Sequence, residues 1–269
     1  MSADDDGVAA IARYNVPALQ KGLDILELLA SAPAGLNLTA ISASLGRSTG
    51  ELYRLIQFLE GRGYIERSPG DVYSLSMQLF HLSHEHPPLR SLVALAVPFM
   101  EQFASAAGQS CHLGVLSRTN VTIVAQIDSP LPIRYSVRLG AQFPAWETSS
   151  GLLLCAMLSE AARRTFMTQL SRLVDDAAMA TVETKIAEIA SRGYEERASL
   201  RIAGIVNLSF PILDRNDQIA AVLTSPYLPQ RGSLASLDDV RSLIADAALR
   251  LSAALGNRAA RLSLNEDVA

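Results

Sequence analysis

Apolar residues in PALQKGLDILELLA, residues 17–30, recur at Leu19, Leu23, Leu26 and Leu29 or Ala30, the spacing of one helical face. Pro17 suits a first helical turn, and SAPAG breaks the helix. LTAISASLG predicts a second, shorter helix that Leu38 or Thr39 opens, with Ile41 and Leu45 inward and Gly46 as its stop. A third begins at Ser48, where Ser48 and Glu51 have the spacing of a capping box. Its apolar positions are Leu52, Leu55, Ile56 and Leu59, and Gly61 and Gly63 end it. YIER and VYSL then alternate as two short strands around the turn composition Ser68-Pro69-Gly70-Asp71.

Three helices and a hairpin in that order predict a winged helix–turn–helix. If the leucine face packs inward, the other face of the third helix presents Thr49, Gly50, Tyr53, Arg54 and Gln57, with Arg47 and Ser48 at its start. Such a face enters the DNA major groove N-terminal end first. Arg54 suits a guanine or a phosphate, Gln57 an adenine, and Arg47 a backbone phosphate. Gly50 has two readings, close approach to DNA or tight packing against the second helix.

Further along, HLSHEHPPLRSL carries Pro87-Pro88, a break between a linker helix and a second domain. LVALAVPFMEQFASAAG predicts an amphipathic helix ending at Gly108. SCHLGVLS and VTIVAQI alternate as a hairpin, and IRYSV reads as another strand. Helices are expected from about Leu152 to Leu170 and from Thr181 to Arg192. IVNLSFPIL and QIAAVLTS are strands joined by DRND, and a last helix runs from about Leu237 to Leu255. Helices flanking an antiparallel sheet make this half α+β.

Composition narrows the setting. The chain has 269 residues, 49% hydrophobic and 19% charged, enough for two modest cores. No apolar run reaches the roughly 20 residues of a membrane span, and the polar start MSADDDG lacks the pattern of a secretory leader. The isolated cysteines Cys111 and Cys155 fit a reducing, cytoplasmic setting. The net charge of −4 gives no support to bulk polyanion binding. Residues 13–80 carry six basic and six acidic side chains, so any DNA contact must come from a sided patch. That neutrality keeps a protein-interaction module open.

His81, His84, Glu85 and His86 cluster near the linker, where His81 faces His84 and Glu85 on a helix; a metal pair there competes with a plain solvated face. Cys111 and His112 alternate on a strand and cannot both enter one site. No nucleophile–base order, paired carboxylates or phosphate loop stands out, so neither catalysis nor a cofactor is expected.

The order of parts resembles the IclR family of bacterial transcription regulators. The resemblance is carried by KGLDILELLA, YRLIQFLEGRGYIER, GQSCHLGVL, the GAQFP approach to TSSG, ASRGY and GIVNLSFPILDRNDQIAAVLT, and spans Val16 to about Gly256. It implies a winged helix–turn–helix domain at 13–76, a linker helix at 77–89 and a GAF-like effector-binding domain at 90–258, with 1–12 and 259–269 as disordered tails. It further implies a homodimer or tetramer on a palindromic double-stranded operator, answering to a small carboxylate. By the same resemblance the carboxylate meets backbone N–H groups at Ser149, Ser150 and Gly151, with Thr148 nearby, a helix N-terminus suited to an anion. Asn207, Ser209 and Thr224 supply polar partners, and Tyr135, Phe143 and Trp146 an apolar wall. The chain departs from the family at three places. Gly50-Glu51 stands where members commonly have Ser-Thr or Ser-Ala. Trp146 stands where many have histidine, and Arg197 where an acid is frequent. A cation at Arg197 favours a sugar acid or a dicarboxylate. The rival from another class is a GAF-like enzyme acting on a small acid, its N-terminal module serving only to dimerise.

Overall fold

A computed structural model describes residues 16–85 and 87–266. Contacts divide the chain into two compact units, 1–90 and 91–269.

In the first unit, helix α1 (Pro17–Ala30) precedes a two-residue strand β1 (Leu36–Asn37) and helix α2 (Leu38–Leu45). Asn37 caps α2 by accepting from the Ala40 N–H at 2.8 Å, and left-handed Gly46 closes it. Helix α3 (Thr49–Gly61) runs into strands β2 (Ile65–Ser68) and β3 (Val72–Leu75), and β3 lies between β1 and β2 in an antiparallel sheet. Ile25, Leu29, Ile41, Leu52, Ile56, Ile65 and Tyr73 form the buried core. The expected face of α1 is corrected here. Ile25 and Leu29 point inward, while Leu19 and Leu23 are exposed. The helix carries two apolar stripes, and periodicity alone does not say which one the small core takes. The capping box is half formed: Ser48 Oγ accepts from the Glu51 N–H, but the Glu51 carboxylate turns instead to Lys21 and Arg47. Lys21, first by hydrogen bond, holds that carboxyl below its ordinary pKa. Helix α4 (Gln78–Glu85) follows, with His81 exposed on it. The side chains of His84 and Glu85, and all of His86, lie outside the described residues.

The second unit is a six-stranded antiparallel sheet between two layers of helices. Its strands are β4 (Cys111–Ser117), β5 (Asn120–Ile127), β6 (Gln142–Pro144), β7 (Glu195–Ala198), β8 (Val206–Leu213) and β9 (Ile219–Tyr227), ordered β6-β5-β4-β9-β8-β7. Against one face pack helix α5 (Pro87–Ala107), through Met100 and Phe103, and helix α9 (Leu237–Ala254), through Ile244 and Leu251. Against the other lie a 3₁₀ turn (Ala145–Glu147) and helices α6 (Ser149–Ala156), α7 (Glu160–Leu170) and α8 (Asp176–Arg192). Every residue of α6 is buried.

Four sequence expectations change. IRYSV is not a strand: the ladder edge of β5 is taken by β6, and the segment is held instead by side chains, the Val137 N–H donating to Gln126 at 3.4 Å and the Ile133 carbonyl accepting from Gln230 at 2.9 Å. The helices between Leu152 and Leu170 are α6 and α7, parted where Ser159 opens a new first turn by accepting from the Ala162 N–H. The next helix starts at Asp176 rather than Thr181, because Asp175 caps it. The last residues are not wholly a tail: Arg258–Glu266 form helix α10, pinned by buried Ala260 and by Asn257, which caps it and donates to the Asp214 carbonyl.

Candidate functional site

Two places carry exposed or unsatisfied chemistry, one in each unit. On α3, the face opposite Leu52, Ile56 and Leu59 presents Thr49, Gly50, Tyr53, Arg54 and Gln57 to solvent. Ser48, equally exposed, is the cap. Arg54 makes no ion pair or hydrogen bond among the described residues, whereas Gln57 donates to Glu60 at 3.2 Å. Arg47 is less free than expected, lying 3.6 Å from Asp24 and 3.7 Å from Glu51. A Cβ built on Gly50 meets nothing within 4 Å, which excludes the packing explanation for this glycine and leaves an open helix start. Beside this face, Leu19, Leu23, Phe58, Leu79 and Leu82 line an apolar groove with their side chains partly in solvent.

In the second unit, a cavity of about 70 Å³ opens between the start of α6 and the sheet. Eight of the expected residues line it: Tyr135, Phe143, Thr148, Ser149, Ser150, Arg197, Asn207 and Thr224. Three do not. Trp146 packs into the helical core behind the 3₁₀ turn. Gly151 backs onto Ala145, and its N–H is consumed by Thr148 Oγ1 at 3.0 Å, so the free amides at the helix start are those of Ser149 and Ser150. Ser209 lies fully buried one layer down, 2.9 Å from the Thr224 hydroxyl.

The cavity also holds residues that the sequence did not single out for it: His112, Glu147, Ser199 and Arg201, with Ile123 and Val137 among its apolar walls. His112 alternates with Cys111 and Leu113, which point into the other core, so the strand delivers the imidazole alone. Ser199 Oγ accepts from the amides of Arg201 and Ile202, shaping the turn after β7. That turn places the Arg201 guanidinium 4.9 Å from the Phe143 ring centre and 3.8 Å from the Glu147 carboxylate, across the cavity rim.

The interior is polar and under-paired. Among the described residues, four buried side-chain atoms have no hydrogen-bond partner, and three of them belong to this cavity: His112 Nδ1, Ser149 Oγ and Arg197 Nε. Native interiors rarely leave such groups alone, so their convergence makes this cavity the candidate site. Arg197 Nε lies 3.6 Å from Glu195, too far for a hydrogen bond, and Arg192 takes the other oxygen of the same carboxylate. One buried carboxylate between two guanidiniums leaves a positive excess at the cavity. Burial raises the Glu195 pKa, against the pull of Arg192 and Arg197. It also pushes the His112 imidazole down to about 4, so that ring is neutral near pH 7.

A metal centre finds no support in the geometry: no group of three His, Cys, Asp or Glu among the described residues is placed to hold an ion. Nor is any described helix long and apolar enough to cross a membrane.

Comparison with known proteins joins the two places. The IclR helix-turn-helix domain model matches residues 18–69, and the model of the bacterial transcriptional regulator IclR C-terminal domain matches residues 89–253. The chain is 27% identical over 254 residues to the HTH-type transcriptional regulator XynR of Escherichia coli, covering 90% of this chain and 98% of that one. It is 27% identical over 206 residues to the glycerol operon regulatory protein of Streptomyces griseus, covering 75% and 80%. The same fold recurs in an IclR homolog from Microbacterium hydrocarbonoxydans crystallised with 4-hydroxybenzoate, at TM-score 0.73 and 18% identity over 88% of this chain and 98% of that one. With one family model matching more than half its length and a second matching the helix–turn–helix, the chain belongs to the IclR family of bacterial transcriptional regulators.

Proposed function

We propose that this regulator reads its operator through Thr49, Gly50, Tyr53, Arg54 and Gln57, as a homodimer or tetramer, and that a small carboxylate in the 91–269 unit controls it. The observation that carries the DNA reading is the uncommitted guanidinium of Arg54 on an open helix face. One winged helix contacts one half-site, so useful affinity needs two heads on a palindrome. The apolar groove formed by α1, α3 and α4 supports pairing of two copies there, since Leu19 and Phe58 are about 60% exposed or more. Arg54→Ala should cost ~1–3 kcal/mol of specific binding while leaving the fold intact. If the purified protein enriches no sequence from sheared genomic DNA at moderate salt, the operator reading is wrong.

For the effector, the support is the convergence of unpaired groups at the start of α6. The amides of Ser149 and Ser150 and the positive excess at Arg197 suit a carboxylate, and a fold neighbour was crystallised with an aromatic acid. A sugar acid and a dicarboxylate both fit this chemistry. The acid acts by binding one arrangement of the paired heads better than another; without that difference it shifts nothing. Asn207→Leu removes a polar partner and leaves the backbone site, so it should weaken effector binding by ~1–3 kcal/mol. If calorimetry gives Asn207→Leu and Arg197→Ala the parent's affinity, the effector binds elsewhere.

A further inference from the structure

We propose that the effector is a short 2- or 3-hydroxy acid, and that His112, with Thr224 beside it, selects it by its hydroxyl. This rests on the cavity being the effector site, as proposed above.

The inference begins with the sheet. His112 on β4 pairs in register with Thr224 on β9, Thr224 with Ser209 on β8, and Ser209 with Glu195 on β7. The result is a row of four polar side chains across four strands, each less than a tenth exposed. On the same face Ile123 and Val222 are buried and apolar, and the alternate positions Cys111, Leu113, Leu208 and Leu223 point into the other core. A sheet face covered by helices is ordinarily apolar at every such position. The inner part of the row is satisfied within the protein: Glu195 is held by Arg192, and Ser209 bonds to Thr224. The row's other end, at the cavity, is not, because the His112 imidazole has no partner among the described residues.

What would complete that end follows from charge and size. Ser149, Ser150 and Arg197 supply the cationic and amide chemistry for one carboxylate. His112 is buried and neutral at physiological pH, and its neighbour Thr224 is a hydroxyl, so this end offers a second carboxylate no cation. A neutral imidazole has one N–H and one lone pair. The Ser209–Thr224 pair can reverse its donor, so Thr224 either gives or takes a proton toward the cavity. A ligand hydroxyl is both donor and acceptor, and it satisfies both residues in either orientation. A methylene in its place would leave His112 buried and unpaired. The cavity, about 70 Å³, has room for roughly two water molecules. A carboxylate fills most of that, so the hydroxyl sits within a few bonds of it.

The experiment titrates the full-length protein by calorimetry with two matched pairs, lactate against propionate and 3-hydroxybutyrate against butyrate. The expected result is that a hydroxy acid binds roughly ten- to a hundredfold tighter than its deoxy partner. In His112→Leu that preference should fall to near unity. Thr224→Val, nearly isosteric, should reduce it too, and covers the case in which His112→Leu does not fold. Equal binding of both members of each pair to the parent, or a preference that survives both substitutions, overturns the hydroxyl assignment and leaves the acid-sensing reading standing. If none of the four acids binds and no acid shifts operator affinity, the acid-sensing reading falls, and this inference with it.

Discussion

Replacing Gly151 with alanine tests the support beneath the cavity at the start of α6. A Cβ there lies 2.2 Å from the carbonyl oxygen of Ala145 and 2.4 Å from its Cα. Unstrained contacts are about 3.5 Å or longer, so one side must move by about 1 Å. Neither side yields easily. The helix α6 is buried along its whole length. Ala145 is fully buried, and its N–H is bonded to the Thr119 carbonyl at 2.9 Å. Overpacking a core costs about 1–3 kcal/mol, and a clash of backbone on backbone belongs at the upper end. For a unit of this size about 3 kcal/mol lowers the melting temperature by roughly 6–12 °C. The chain's single tryptophan, Trp146, sits on the turn that must move, so its fluorescence reports this unit alone. Urea titrations of Gly151→Ala and parent, read at Trp146, should differ in midpoint in proportion. Superimposable curves would refute the claim that this glycine is required by close approach.

Gly50→Ala points the other way. With nothing within 4 Å, the methyl should raise the first unit's stability by about 0.5–1 kcal/mol while weakening operator binding; melts followed by circular dichroism, with DNA titrations alongside, check both, and undiminished operator affinity refutes close approach at this helix start. Phe58→Asp, on the apolar groove, should yield monomers in light scattering at micromolar concentration, and an unchanged mass would remove the groove from the assembly. His112 is held neutral down to about pH 4 against an ordinary 6.5, so between those values the unfolded chain binds a proton that the folded chain refuses. Its contribution is complete above pH 6.5 and is lost toward pH 4, by roughly 3 kcal/mol. His112→Leu should flatten that slope in urea titrations at pH 4.5 and 7. The raised pKa of Glu195 acts with the opposite sign but is common to both proteins, so equal slopes would refute the assignment to His112.

Most elements were legible because local chemistry specifies them. Ser48 caps one helix, Gly46 closes another, and alternation marks β4, β5, β8 and β9. What escaped depends on partners distant in sequence. IRYSV alternates as a strand does, yet no neighbour offers it a ladder. Leu19 and Ile25 are equally apolar, and only the packing of α2 and α3 decides which is buried. In the cavity, the resemblance located Ser149, Ser150 and Thr224, whereas His112 and Arg201 were not recognised as cavity residues. The signal for His112 lay in SCHLG, a titratable residue between positions that alternation sends to a core. Arg201 gave none: an arginine in a polar turn acquires meaning only when the turn folds over Phe143.

That arginine bears on time rather than on affinity. An ion pair between side chains half in solvent, at 3.8 Å, contributes a few tenths of a kcal/mol, and a guanidinium over a phenyl ring about 0.5–1 kcal/mol. A clasp of ~1 kcal/mol stands open on the order of one-sixth of the time, and loop motions of this kind last nanoseconds to microseconds. Molecules therefore pass the rim many times faster than a cell's metabolite levels change. On the proposed reading of the cavity, the regulator's lag in following its effector is then set by the lifetime of the contacts inside, and by the slower exchange of the protein on its DNA, not by the door.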